Sequence, residues 1–139
     1  MIEIPDGFQE ITADEGDQGG YIAHNGPYYM YRQTDGSLIW GFPTDHRHGN
    51  SNRVIHGAAL IGFVDTLLGR TVMDTTGRNC ATVSLTSEFI AGTGPGIWVE
   101  AMPRIKKVTR TMAFAATDVM AGDRILMSAT GVFKLFEDR

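Results

Sequence analysis

His56-Gly57-Ala58-Ala59-Leu60-Ile61-Gly62-Phe63-Val64-Asp65-Thr66-Leu67-Leu68-Gly69-Arg70-Thr71-Val72-Met73 carries the one long helical repeat in the chain. Leu60, Ile61, Val64, Leu67, Leu68 and Val72 recur every three or four residues, the period of an α-helix that buries one face. Phe63 and Met73 widen the apolar band, so this helix is expected to be wrapped on most sides. Gly77 is a stop signal just past its end. The apolar run from Ala58 to Val64 breaks at Asp65, too short and too interrupted to span a membrane.

Working outward, the flanks read as strands. Pro27 to Arg32 and Ser37 to Phe42 border the turn-forming Thr34-Asp35-Gly36, which predicts a hairpin of two short strands. Pro43 to Arg53 is polar and turn-rich and holds two of the four histidines, the kind of loop where binding groups gather. Beyond the helix, Cys80 to Ile90 is rich in Thr and Val, and Ala91 to Gly96 is a loop. Ile97 to Val108, Thr111 to Met120 and Arg124 to Phe136 complete a set of four longer strands. One helix against a large antiparallel sheet is a two-layer α+β fold.

With 139 residues, 42% hydrophobic and 20% charged, the chain fits one domain with one core. Residues 1–20 are acidic and read as an extended or mobile lead-in, leaving 21–139 as the domain. The acidic N-terminus lacks the basic start and apolar stretch of a secretory signal. A single cysteine, Cys80, excludes an internal disulfide and suits a reducing cytoplasm. The net charge of −4 speaks against a nucleic-acid partner.

Asp65 is the first chemical oddity. An ionised carboxylate among Gly62, Phe63, Val64, Leu67 and Leu68 is costly unless compensated. It is either a solvated residue on the one exposed stripe, with Thr66 beside it, or a functional group. At the start of the same helix, Gly57 leaves its backbone N–H open to close approach, a natural oxyanion or anion site. From His56 to Asp65 the helix turns two and a half times and rises roughly 13 Å. Asp65 and the Gly57 amide therefore cannot address one bond within a single protomer. If both are catalytic, two chains must meet with antiparallel helices.

The spacing then becomes specific. His48-Gly49-Asn50, His56-Gly57-Ala58 and Asp65 together resemble the signature of PaaI-type hotdog thioesterases, H-x-N-x-x-G-x-x-H-G-G followed by an Asp on the central helix. Gly41-Phe42, Thr82-Val83-Ser84-Leu85, Gly96-Ile97-Trp98-Val99-Glu100 and Ser128-Ala129-Thr130-Gly131 resemble flanking strands of that family, so the likeness covers roughly residues 27–136. Arg53 stands where the motif has its first glycine, and Ala58 where it has its last.

The resemblance implies a hotdog fold and hydrolysis of an acyl-CoA thioester to free acid and coenzyme A, with no cofactor. It implies that the Gly57 amide polarises the thioester carbonyl and that Asn50 orients that carbonyl or the water. Asp65 of the partner chain would be general base or nucleophile, and Thr82 would assist it. It further implies a homo-oligomer, a dimer or a dimer of dimers (homotetramer). A non-catalytic acyl-CoA-binding hotdog module is the alternative, and the intact Asn50, Gly57 and Asp65 argue against it. A hydratase would need a different Asp/His loop motif, which is missing.

Other residues carry weaker signals. His46 and His48 suggest a metal pair, but nothing completes the ligand set at familiar spacing, so no metal is expected. His56 reads as a brace for the helix start. Arg104, Lys106, Lys107 and Arg110 form a basic cluster, either a solvated edge that discourages aggregation or contacts for the phosphates of coenzyme A. Arg47 is a similar candidate closer to the site.

Overall fold

The computed structural model describes residues 2–11 and 20–137. In chain order the elements are β1 (Gln9–Glu10), α1 (Tyr21–Asn25), β2 (Tyr29–Arg32), β3 (Leu38–Pro43), a 3-10 turn (His46–His48) and α2 (Gly57–Thr76). Then follow β4 (Cys80–Phe89), β5 (Trp98–Ala101), β6 (Arg104–Val108), β7 (Met112–Ala121) and β8 (Arg124–Leu135). All strand pairs are antiparallel, in the order β1-β2-β3-β5-β7-β8-β4, with β6 also paired to β7.

The helix forms where the repeat predicts it. Phe63, Val64, Leu67, Leu68 and Val72 are fully buried against the sheet, where Ala113, Ala115, Val119, Met127 and Phe133 line the facing side. Trp40 of β3 donates its indole N–H to Thr71 at 3.2 Å, a buried polar tie between sheet and helix. Truncating Phe63 to Ala would cost about 3–5 kcal/mol, the range for a deeply buried aromatic. Gly77 ends α2 at φ 69°, a left-handed conformation that glycine adopts without strain. One long helix wrapped by an antiparallel sheet is the hotdog arrangement.

Three details differ from the sequence reading. The stretch Ile97–Val108 is two strands, β5 and β6, because Met102-Pro103 interrupts the ladder and Pro103 has no N–H to donate. A five-residue helix, α1, precedes β2; it is too short to show a period. Gln9–Glu10 pairs with β2, and Phe8 packs edge-on against Trp98 at 5.1 Å. Of the remaining lead-in, Met1 and residues 12–19 lie outside the described residues. Among the described residues, no helix is long and apolar enough to cross a membrane.

Candidate active site

The strand β4 runs alongside α2, and the two elements meet at two of the positions singled out in the sequence. Thr82 donates its hydroxyl to Asp65 Oδ1 at 2.7 Å. A β-bulge makes this possible. The β4–β8 register slips between Thr82 and Ser84, so Val83 is the extra residue. Thr82 thereby pairs with Phe133, which faces the helix, and the valine does not take its place. Cys80, two residues earlier, donates to the Gly69 carbonyl at 3.5 Å. Burial, and then the nearby Asp65 charge, push the Cys80 thiol up from its ordinary value, so it stays protonated near neutrality.

At the other end, β4 delivers Phe89 to the start of α2. A Cβ on Gly57 would lie 2.9 Å from the tip of the Phe89 ring, so a larger residue there would have to push that exposed ring aside. His56 caps the helix: its Nδ1 accepts the Ala58 N–H at 2.9 Å. The Ala59 N–H goes to the His56 carbonyl. The Gly57 N–H has no acceptor among the described residues, and Gly57 lines a cavity of about 320 Å³. Val54, Leu60, Phe89, Ile90, Gly92 and Leu126 are among its walls.

Asn50 sits in the loop leading into that helix start. Its Oδ1 accepts the backbone N–H groups of Asn52 (2.9 Å) and Val54 (3.3 Å). Two N–H donors require an oxygen there, which leaves the Asn50 NH2 without a partner among the described residues. The loop is closed by the His56 N–H to His48 carbonyl bond of 2.6 Å. Asn50, His56 and Gly57 thus belong to one cluster, and Asp65 and Thr82 to another further along the same helix.

His46 and His48 do not form a metal pair. His48 is 2% exposed, accepts the Asp45 N–H on Nδ1 at 2.9 Å, and donates from Nε2 to the Asn25 carbonyl at 2.6 Å. No group of three or more ligand-type side chains is found among the described residues. Arg47 is occupied: it bonds Asp45 and donates to the carbonyls of His24 (2.7 Å) and Gly26 (2.8 Å), clamping α1 in place. Arg104, Lys106 and Lys107 lie exposed on β6, with β7 and β8 between them and β4, and Arg110 is exposed in the next turn. Within one protomer the basic cluster is gathered neither at Asp65 nor at Gly57, although Arg104 shares a pocket with Thr86 and Glu88 of β4.

Two contributors escaped the sequence reading. Phe89 appeared only as the end of a strand, and no local pattern signals that it covers Gly57. Tyr21 lies against Gly62, one turn before Asp65, with its ring 2.7 Å from where a Cβ would stand. Tyr21 belongs to α1, which the sequence did not show.

One long helix wrapped by an antiparallel sheet, in this element order, is the hotdog fold. The thioesterase superfamily profile matches residues 52–128. The chain belongs to the thioesterase superfamily, whose members are thioester hydrolases. It is 28% identical over 137 residues to PA0474 of Pseudomonas aeruginosa, a protein named as an esterase, covering 97% of this chain and 99% of that one. Among solved structures, a variant of the phenylacetic acid degradation protein PaaI from Thermus thermophilus superposes with a TM-score of 0.75 at 16% identity, over 84% of this chain and 98% of that one. A hypothetical thioesterase from Streptococcus pneumoniae, solved with coenzyme A, gives a TM-score of 0.73 at 17% identity, over 81% and 88%. These likenesses place the fold.

Proposed function

We propose that the protein hydrolyses an acyl-CoA thioester at a site shared between two copies. The observation that carries the reading is the Thr82–Asp65 hydrogen bond. It holds one carboxylate oxygen and leaves the other for the attacking water or the thioester carbon. The Gly57 N–H and the Asn50 NH2 of the other copy supply donors for the oxyanion. The existence of a relative structure containing coenzyme A supports that class of thiol.

The free edge of β4 offers the means of sharing. Among the described residues it ends the sheet and pairs only with β8, and it exposes Val83, Phe89 and the adjoining Ile90, an edge that proteins normally cover. A second copy paired antiparallel there, about a two-fold axis through Thr86 with Val83 bulged out, sets Thr82 of one chain opposite Phe89 of the other. Asp65 then reaches the partner's helix start. In this reading residues 21–139, with β1 added at the edge of the sheet, are the catalytic domain, in a cytoplasmic dimer or dimer of dimers.

Free-thiol release from short, medium, long-chain and aryl acyl-CoAs, with Asp65→Asn beside wild type, tests this. A loss of about 10²–10⁴-fold with the oligomer intact supports Asp65 as the base or nucleophile. Binding of acyl-CoA with no thiol released by wild type would favour the non-catalytic module.

A further inference from the structure

Arg53 is the only described residue other than glycine with a positive φ, at 61°. That conformation is unfavourable for an L-residue and free for glycine, which the resembling motif carries here. The turn demands it: Asn50 N–H bonds the Val54 carbonyl at 2.9 Å and Arg53 N–H bonds the Asn50 carbonyl at 3.0 Å. An arginine is thus held against the preference of its own backbone. Its exposed side chain adds nothing to these bonds, having no hydrogen bond or ion pair among the described residues. Arg32, Arg47 and Arg78, by contrast, are each engaged with Asp74, Asp45 or backbone carbonyls.

The position supplies the reason. Val54, the next residue, lines the cavity at Gly57, and Ile55 N–H bonds the Thr93 carbonyl at 2.9 Å across the opening. The Arg53 carbonyl lies 3.5 Å from where a Gly94 Cβ would stand. The turn is therefore the rim of the cavity. If a thioester seats its carbonyl on the Gly57 N–H and its thiol arm leaves along this rim, the phosphates of coenzyme A pass Arg53, which adjoins the cavity-lining Val54.

We infer that Arg53 is a specificity-determining residue that binds a phosphate of the coenzyme A portion, selecting its thioesters over those of small neutral thiols. This rests on the thioesterase reading of the same site. Backbone strain tends to persist where function maintains it, and a guanidinium is the side chain best matched to phosphate oxygens.

Calorimetric titration of coenzyme A and of pantetheine, which lacks the phosphates, tests the inference with wild type, Arg53→Gly and Arg53→Lys. Arg53→Gly should bind coenzyme A about tenfold more weakly, with pantetheine affinity changed less than about twofold. The difference should shrink as salt rises toward about 0.5 M, and Arg53→Lys should retain most of the affinity. Glycine relieves the backbone, so the melting temperature should not fall, which removes misfolding as an explanation. The preference in kcat/KM for a CoA ester over its pantetheine counterpart should drop by a similar factor. Unchanged coenzyme A affinity, or equal loss for both thiols, would overturn the assignment. Because binding is read without turnover, lost affinity in a protein that hydrolyses nothing would sink the thioesterase reading and leave Arg53 standing. Normal hydrolysis with unchanged affinity would do the reverse.

Discussion

The Thr82 hydroxyl donates to Asp65 Oδ1 at 2.7 Å, joining the edge strand of the sheet to the middle of the central helix. The bond fixes one carboxylate oxygen and leaves hydroxyl lone pairs free to accept from a water. Removing it with Thr82→Val should lower kcat by roughly ten- to a hundredfold, since a hydrogen bond to a charged group contributes about 1.5–3 kcal/mol. KM should change little, and Thr82→Ser should retain most of the rate. Steady-state kinetics on the preferred acyl-CoA check this; a Thr82→Val enzyme as fast as wild type would remove Thr82 from the site.

Asn50 has two jobs that one substitution can separate. Its Oδ1 holds the turn through Asn52 and Val54, and its NH2 has no partner among the described residues. Asn50→Asp keeps oxygen acceptors for the turn and replaces the NH2 donor with an acceptor. The melting temperature should stay close to wild type while kcat/KM falls about 10²–10³-fold, the cost of losing one oxyanion donor. Equal loss of stability and activity would instead show that the turn alone matters.

His48 makes a pH prediction of definite sign. Burial pushes its pKa below the ordinary 6.5, against the opposing pull of the Asn25 carbonyl and the Asp45 carboxylate. The unfolded chain therefore binds this proton more readily than the folded one. The stabilisation is fully present above the unfolded value and is lost as pH falls through it toward the depressed folded value. Nitrogen-detected NMR should show the neutral, Nε2-protonated ring at pH 6.5, and the melting temperature should fall on going from pH 7.5 to pH 5. A His48 midpoint at or above the ordinary value would contradict the buried arrangement.

Arg47 lies close to the site, yet its guanidinium holds Asp45 and the carbonyls of His24 and Gly26. Arg47→Ala should lower stability by about 1–2 kcal/mol, discounted for its partial exposure. Coenzyme A affinity should fall far less than in Arg53→Gly. Denaturant unfolding and the same titration check both halves, and a large loss of affinity at unchanged stability would return Arg47 to the binding surface.

The helix was legible because a period of 3.6 residues over 20 residues is a strong local signal, with Gly77 marking its end. The motif residues were legible because their spacing is local too. What stayed hidden depends on distance. The bulge at Val83 exists only relative to β8, and the pairing of Thr82 with Asp65 depends on that bulge. Phe89 over Gly57 and Tyr21 over Gly62 are contacts between separate elements, with no trace in either segment alone. The strain at Arg53 could be suspected from the missing glycine, but its sign became visible only as a backbone angle.

The shared site itself is tested most directly by complementation. Asp65→Asn and Asn50→Asp each disable one half-site, so each homo-oligomer should be nearly inactive. Unfolding and refolding an equal mixture should give mixed dimers in which one site carries both changes and the other neither, restoring about a quarter of wild-type activity. Recovery to that level is the predicted result. A mixture no more active than its two components, with mixed dimers verified by mass spectrometry, would mean that each protomer works alone and would contradict the account.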